Sequence, residues 1–221
     1  MLETPSTGES VWSEVATPTD HKRRQILEGA RRVFLADGFD GASMGGIAKA
    51  AGVSKGTLYS YFASKEALFE RLIEDERASL AEALFRLDGD DPDTRAVLRR
   101  LGRSFLAMLC RPEHVASVRM VIGAAEKLPR LGQAFYEAGP RQGVVRLAGY
   151  LRRQVAAGRL AIPDVEVAAQ QFLDLCGGLV MKRLLFAVAP PDDTLAEQQV
   201  ERALTMFFSA YGPKPGASGE A

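Results

Sequence analysis

Hydroxyl, lysine and glycine residues are interspersed with apolar ones in the segment from Ser43 to Lys65, SMGGIAKAAGVSKGTLYSYFASK. Small polar side chains on a short helix can contact phosphate oxygens and base edges in a DNA groove. Two short helices joined by a tight turn need a small residue where they cross, a glycine at the turn and an apolar residue on the second helix. Ala48, Gly52 and Leu58 supply these residues at spacings of four and six. The spacing predicts a helix-turn-helix.

The second helix of this segment is predicted to have an apolar inner face and a small polar outer face. Ser54 is placed to cap it, which leaves the free amides of its first turn directed at whatever the helix docks on. With Leu58 facing inward, Phe62 lies about 40° away on a helical wheel and joins the core. The outer face then carries Lys55, Gly56, Thr57, Tyr59 and Ser60. An ordinary pair of packed helices with a polar face is the alternative that the spacing leaves open.

The elements around this segment are predicted to be helices throughout. No stretch shows the period-two alternation of a strand, whereas apolar residues recur at helical spacing over 97–109, 165–179 and 200–211. The first helix is expected to begin at Thr17-Pro18-Thr19-Asp20 and to stop near Asp37-Gly38. Proline and glycine, including Gly139-Pro140, are expected to separate later helices. We therefore predict an all-α protein of about nine helices.

Composition places the chain among ordinary globular proteins. It has 221 residues, of which 47% are hydrophobic and 25% charged, and only two cysteines, Cys110 and Cys176. These values exclude a disordered chain and a disulfide scaffold. The longest nearly uncharged stretch is far shorter than the ~20 residues of a membrane span. Because no secretory signal is visible, a cytoplasmic location is expected.

Charge is unevenly distributed although the net charge is zero. Residues 20–65 contain eight basic and four acidic side chains, whereas residues 1–19 contain three acids and no base. A basic block attached to a nearly neutral body is typical of a DNA-binding module, although a solvated helix face gives the same pattern.

The stretch GFDGASMGGIAKAAGVSKGTLYSYFASKEALFERL resembles the DNA-binding domain of the tetracycline-repressor (TetR) family, over roughly residues 20–75. The GVSKGTLYxYFxSKEAL run is specific to that family. The resemblance implies an all-helical homodimer with one such domain per subunit. It also implies a larger C-terminal domain that dimerises and binds a small molecule.

The resemblance assigns DNA contacts to residues that match the family motif. Ser43 and Met44 open the helix before the turn. The recognition helix carries Lys55, Gly56, Thr57, Tyr59, Ser60 and Tyr61, and Lys65 matches the phosphate-contacting lysine. Gly45-Gly46 depart from the family, whose members often have polar or basic side chains there. Two glycines cost about 1 kcal/mol each in helix propensity, so we expect more mobility or a closer backbone approach at this point.

The second half resembles the AefR-like regulators, near the multidrug-efflux repressors, in RMVIGAAEKLPRLGQAFYEAGP and in the helix from Asp164 to Gly178. This resemblance implies an enclosed ligand cavity, with Arg119 or Glu126 as polar anchors. The apolar residues proposed for its wall are Phe105, Met108, Met120, Phe135, Tyr136, Phe172 and Cys176. Each of them could instead belong to the ordinary core.

Other chemistry finds little support in the sequence. His21 and His114 lack acidic or cysteine neighbours at ligand spacing, so no metal site is expected. No glycine-rich phosphate loop and no G-x-S-x-G elbow occur, and no cofactor is expected. Cys110 and Cys176 lie on apolar helix faces and are interpreted as core residues, with redox sensing as the alternative.

The sequence thus predicts a ligand-responsive, DNA-binding repressor rather than an enzyme. Its expected organisation is a tail over 1–16, a helix-turn-helix domain over 17–66, an effector-binding and dimerisation domain over 67–211 and a tail over 212–221. The expected partners are a palindromic DNA operator, a hydrophobic effector and a second copy joined through 164–187 and 193–211. The alternatives are a helical enzyme or ligand-storage protein with a degenerate DNA domain, and a structural dimer without effector.

Overall fold

The computed structural model describes residues 18–89 and 91–213, which form ten α-helices and no strand within those ranges. The first four are α1 (Pro18–Gly41), α2 (Met44–Ala51), α3 (Lys55–Tyr61) and α4 (Lys65–Leu84). The others are α5 (Thr94–Leu109), α6 (Pro112–Ala125), α7 (Pro129–Tyr136), α8 (Gln142–Ala156), α9 (Val165–Leu185) and α10 (Asp193–Tyr211). The predicted all-α class is confirmed. The tail predicted over 1–16 and most of the one over 212–221 lie outside the described residues.

Short polar side chains mark where many of the helices begin. In each case a side-chain oxygen accepts a hydrogen bond from a backbone N–H of the first turn, which satisfies a donor that the helix itself leaves free. The residues that do this are Ser43, Ser54, Ser64, Asp93, Asp164 and Asp192. Near the end of α1, Gly38 has a φ of 71° and interrupts the helix where the sequence predicts its end.

The break predicted at Gly139-Pro140 is wrong. A single π-helical turn, Glu137–Arg141, joins α7 to α8, so that the backbone stays helical from Pro129 to Ala156. The ring of Pro140 and its missing N–H disturb the regular i to i−4 hydrogen bonds of an α-helix. The wider π-helical turn accommodates the proline without ending the helix. Taken as one rod, this path gives nine helical rods in the described residues.

The described residues enclose two hydrophobic cores. The N-terminal core is formed by α1–α4 together with Val121, Ala124 and Leu131 from α6 and α7. The C-terminal core is formed mainly by α5, α8, α9 and α10. Helix α4 contributes to both, since its first half lies in the N-terminal core and Leu84 packs against the C-terminal one. The domain boundary predicted at residue 66 therefore falls at the start of the helix that connects the two halves.

Candidate functional site

The turn between α2 and α3 has the geometry that the sequence predicts. Gly52 adopts a left-handed φ of 65°, which glycine tolerates without a steric penalty, and the Val53 N–H donates to the Ala48 carbonyl over 3.0 Å. Ser54 then caps α3 by accepting the Thr57 N–H over 3.0 Å. Leu58 is fully buried in the N-terminal core. The predicted helix-turn-helix is confirmed.

Helix α1 holds α2 at close range. A Cβ at Gly29 would lie 2.6 Å from the Cα of Ala51, so the two helices can approach this closely only because residue 29 lacks a side chain. The Gln25 amide donates to the Ala51 carbonyl over 2.7 Å, and the Arg32 guanidinium donates to the Ala50 carbonyl over 2.6 Å. Both bonds satisfy carbonyls at the end of α2. Together these contacts set the orientation of the helix-turn-helix on the rest of the subunit.

The outer face of α3 is polar and accessible. Lys55, Gly56, Tyr59 and Ser60 are exposed, and Tyr59 shows 52% of its surface. A side chain at Gly56 would meet only the Ser54 hydroxyl, at 3.7 Å, so folding of the subunit does not require glycine there. Its absence of a side chain does permit another molecule to approach the backbone.

The hydroxyl groups of this face differ in how free they are. The Ser60 hydroxyl donates to the Thr57 carbonyl over 2.7 Å, and the Thr57 hydroxyl lies 2.9 Å from that of Ser54. Within the described part of the chain, the Tyr59 hydroxyl has no such partner. Two further predicted contacts, Met44 and Tyr61, are half-buried against the N-terminal core. The Tyr59 hydroxyl is therefore the one most available to form a hydrogen bond with a bound molecule.

Gly45 provides space for Lys55. A Cβ at Gly45 would lie 3.0 Å from Cε and 3.3 Å from Nζ of Lys55, so this lysine crosses the first turn of α2. The contact brings the beginning of α2 beside α3 and gives a physical reason for glycine at position 45. The mobility expected at Gly45-Gly46 stays a prediction. The Gly46 N–H is held by the hydroxyl of the helix cap, Ser43, over 3.1 Å.

Lys65 is engaged within the subunit. Its ammonium donates to the carbonyls of Phe39, over 2.7 Å, and Ala42, over 3.0 Å, and lies 4.5 Å from the centre of the Phe39 ring. An ammonium has three N–H donors, so one remains for an external acceptor. The phosphate contact predicted for Lys65 stays a prediction.

A cavity of about 500 Å³ lies in the C-terminal half, between α4, α5, α6, α8, α9 and the segment from α7 to the π-helical turn. Four of the residues proposed for a pocket line it, namely Phe105, Met108, Phe135 and Tyr136. Leu80, Leu84, Phe85 and Leu173 extend its apolar wall. Its volume and lining are typical of sites that bind small organic molecules.

Three residues proposed for the pocket do not line this cavity. Phe172 and Cys176 are fully buried in the C-terminal core, where the Phe172 ring packs 5.4 Å from that of Phe207. Met120 lines a separate cavity of about 120 Å³ beside the N-terminal core. Helical periodicity identifies buried faces, but it does not distinguish a face that packs on another helix from one that borders a cavity.

The polar anchors expected for the pocket also lie elsewhere. The Arg119 guanidinium donates to the Leu184 carbonyl over 2.5 Å, and the Glu126 side chain is exposed to solvent. Neither lines the cavity. Both expectations are wrong for this cavity, because Arg119 is bound to the end of α9 and Glu126 lies exposed at the end of α6.

Arg77 and His114 are the polar cavity residues that the sequence analysis missed. Arg77, on α4, is only 5% exposed; one of its terminal nitrogens lies 2.8 Å from Nδ1 of His114, and the other donates to the Ser117 hydroxyl over 3.0 Å. Its guanidinium also lies 4.2 Å from the centre of the Phe135 ring. No local signal separates Arg77 from Arg71, the partly exposed arginine on the same helix.

Burial governs the titration of this pair. It lowers the pKa of Arg77 to about 10, against the opposing charge of Glu76, so the guanidinium remains positive at neutral pH. Burial, followed by the charges of Arg77 and Arg111, lowers the pKa of His114 to about 4. The imidazole is therefore neutral at pH 7, and its Nδ1 accepts the hydrogen bond from Arg77.

Neither cysteine has the environment of a reactive thiolate. Burial raises the pKa of Cys176 to about 12 and also raises the pKa of Cys110. Both thiols are accordingly protonated at neutral pH, unlike redox-active cysteines.

Helices α9 and α10 expose large apolar side chains. Leu179 and Phe186 are 62% and 83% exposed at α9 and its end, and Leu195 and Met206 on α10 are more than half exposed. Exposed apolar residues on neighbouring elements are typical of interfaces. These are the two segments that the sequence predicts to join a second subunit.

Among the residues that the structure describes, no helix has the length and apolar character needed to cross a bilayer. No group of three or more histidine, cysteine or acidic side chains is placed there to hold a metal ion.

Family models match both halves of the chain. Residues 26–72 match the model for bacterial regulatory proteins of the tetR family. Residues 96–213 match the model for the C-terminal domain of AefR-like transcriptional repressors. The second match covers more than half of the chain and extends from the first turn of α5 to the end of α10.

Curated relatives match over part of the chain. The chain is 43% identical to the transcriptional regulator UidR of Escherichia coli over 75 residues, which are 34% of this chain and 37% of UidR. It therefore spans about a third of the length of the curated relatives it matches.

Solved structures match over most of their length. The flavonoid-responsive regulator FrrA has a TM-score of 0.74 and 36% identity, covering 88% of this chain and 98% of FrrA. A TetR-family regulator from Mesorhizobium loti has a TM-score of 0.78 and 26% identity, covering 89% and 99% of the two chains.

Proposed function

Because the chain belongs to the TetR family of bacterial regulatory proteins, we propose that it is a repressor that binds a palindromic DNA operator as a homodimer and is released by a small hydrophobic effector. The observation that carries this proposal is the exposed face of α3, where Lys55 and Tyr59 lie beside a glycine that folding does not require. Such a face can enter a major groove and contact base edges. The site of action would be the cytoplasm, where the DNA is accessible.

The basic residues around α3 would supply affinity, and α3 itself would supply selectivity. Arginines and lysines of residues 20–65 would contact phosphates, so binding should weaken as salt increases. A two-fold dimer would place two copies of α3 in successive major grooves, roughly 34–36 Å apart.

The cavity supports a response to an effector. Leu80, Ala81 and Leu84 of α4 line the cavity, and the first half of the same helix lies in the N-terminal core. A ligand that prefers one position of α4 would therefore shift the equilibrium between two arrangements of the DNA-reading helices. The similarity to a flavonoid-responsive regulator and the aromatic wall favour a ring-bearing effector. The lining has a single carboxylate, Asp174, which argues against hydrolysis by a pair of carboxylates.

Selection of bound fragments from random DNA at several salt concentrations tests the DNA-binding function. We expect a palindrome with half-sites one helical turn apart and an affinity that falls steeply with salt. Tyr59→Phe removes only a hydroxyl and should reduce discrimination at specific base pairs by about fivefold to tenfold. Tyr211→Phe, which removes a hydroxyl from the end of α10, is the matched control and should leave selectivity unchanged.

Binding to no duplex at low salt would contradict the proposed function. Enrichment of sequences without two-fold symmetry would contradict the dimeric mode of binding. Unchanged selectivity in Tyr59→Phe would remove this hydroxyl from the groups that read the operator.

A further inference from the structure

Arg77 carries a buried positive charge that the subunit leaves incompletely paired. Its Nε is buried and has no hydrogen-bond partner within the described residues, which also place no carboxylate within ion-pair distance of the guanidinium. The neighbouring Glu76 is paired instead with Arg31, over 2.9 Å. The partners of Arg77 are a neutral imidazole, a hydroxyl and an aromatic ring. The charge of Glu76 therefore acts on Arg77 only from beyond ion-pair distance. A buried cation without a directly paired anion is costly, so an anion bound beside it would be favoured.

Arg77 also stands where an anion from the cavity could reach it. Together with Leu80, Met108 and His114 it lines both the cavity of about 500 Å³ and the smaller one of about 120 Å³. The smaller cavity continues to Phe34 and Phe69 of the N-terminal core. Arg77 thus forms part of the wall between the ligand cavity and the DNA-reading half.

On this basis we infer that the effector is an organic carboxylate whose apolar, ring-bearing body fills the larger cavity while its carboxylate pairs with Arg77. This inference rests on the proposed effector-responsive function and names the chemical class of its ligand. The guanidinium has five N–H donors in a planar fork that matches the two oxygens of a carboxylate, and two of its nitrogens already hold protein acceptors. The body of the ligand would contact Phe105, Met108 and Phe135.

Other charged groups of the cavity are less suited to this role. Lys182 lies on α9 and is exposed, so water screens its charge. Asp174, on the same helix, would repel a carboxylate, which favours placement of the acid at the opposite wall, on α4. His114 is neutral at pH 7 and contributes no charge.

Pairing of Arg77 with a ligand would act on the DNA-reading half through α6. The present bonds from Arg77 to His114 and Ser117 tie α4 to α6. Helix α6 in turn places Val121 and Ala124 in the N-terminal core. A ligand carboxylate that competes for the N–H groups of Arg77 would weaken the connection between α4 and α6. It would thereby alter the packing of α4 on the N-terminal core.

Three size-matched pairs of acid and amide test the inference on the full chain at pH 7. They are biphenyl-4-carboxylate, naphthalene-2-carboxylate and 4-phenylbutanoate, each with its carboxamide. Calorimetric affinities and thermal melting should show at least one acid binding about tenfold more tightly than its amide. Arg77→Met should abolish that advantage, whereas Lys182→Met should retain it. Arg77→Lys keeps the charge but loses the fork, so it should keep part of the advantage even where Arg77→Met folds poorly.

The outcomes separate this inference from the proposed function. Equal affinity for acid and amide, an acid advantage that survives Arg77→Met or disappears in Lys182→Met, or no binding by any acid would overturn the role of Arg77. Release of operator DNA by a neutral compound would then leave the repressor function standing. Acids that bind through Arg77 but never alter DNA binding would support the anion site and contradict the effector-released repressor.

Discussion

Lys65 has a role within the subunit besides the phosphate contact that is predicted for it. Its bonds to the carbonyls of Phe39 and Ala42 join the start of α4 to the segment that follows the break in α1. Because those carbonyls lie at the end of a helical segment, a cation there is also favoured by the backbone dipoles. A motif lysine that appears from sequence to contact only phosphate therefore also supports the fold.

Lys65→Met should reveal both roles. Loss of two charge-assisted hydrogen bonds from a partly buried site should lower the free energy of unfolding by about 1–2 kcal/mol. A phosphate contact would add a decrease of about one unit in the slope of log affinity against log salt. Urea unfolding and fluorescence anisotropy at several salt concentrations measure the two effects.

Lys127→Met is the control for the lysine substitution. Among the described residues, the Lys127 ammonium pairs with the exposed carboxylate of Asp40, over 3.1 Å, so its loss should change stability by less than about 1 kcal/mol. A Lys65→Met protein that loses stability but keeps the full salt slope would retain the internal role and reject the phosphate contact.

The contact between α1 and α2 depends on the absence of a single side chain. Helix propensity alone favours alanine over glycine by about 1 kcal/mol, so glycine at position 29 is unfavourable for α1 considered in isolation. The 2.6 Å separation between a Cβ at that position and Ala51 explains why glycine is needed. The close crossing of α1 and α2, rather than the helix propensity of either segment, determines that residue 29 is glycine.

Gly29→Ala should consequently destabilise the protein despite its better helix propensity. The new methyl group must push α2 away from α1, at a cost of about 1–3 kcal/mol, and should weaken operator binding by moving α3. Thermal unfolding and DNA titration measure both effects.

Gly149→Ala on α8 is the matched control for this substitution. A Cβ there meets nothing within 4 Å, so alanine should stabilise the protein by up to about 1 kcal/mol. Equal behaviour of the two variants would mean that α1 and α2 can separate without cost.

At the scale of the whole molecule, the chain has a DNA-reading half and a cavity-containing half that share α4. The apolar side chains exposed on α9 and α10 lie in the cavity-containing half. A dimer formed there would join the two subunits through these halves and leave one helix-turn-helix on each subunit. Any change in the cavity would then alter the distance between the two helix-turn-helix units as well as their packing. The response to an effector would be a property of the pair of subunits.

Leu179→Glu tests this arrangement. A charge at the centre of an apolar interface loses water without gaining a partner, so the variant should be monomeric in sedimentation equilibrium. Its affinity for an operator with two half-sites should fall by about a hundredfold, because the two helix-turn-helix units no longer bind as one.

Val145→Glu changes another exposed apolar residue, on α8, and should leave both the oligomeric state and the affinity unchanged. A Leu179→Glu protein that stays dimeric would exclude this face of α9 from the interface.

Much of the fold could be predicted from local patterns. Ser43, Ser54 and Gly52 specify where helices begin and turn, because caps and left-handed residues act on neighbouring backbone groups. The π-helical turn at Pro140 could not be predicted, since proline usually ends a helix and only the packing of α7 and α8 makes it continue.

The amino-acid order by itself determined the all-helical class, the helix-turn-helix and the outward face of α3, because each depends on residues within a few turns of one another. Tertiary structure alone decided that Phe172 and Cys176 fill a core while Phe105 and Met108 border a cavity. It alone brought Arg77 against His114, 37 residues away along the chain. Periodicity shows which face of a helix is buried, but which helix, cavity or charge lies opposite is set only when distant segments pack together.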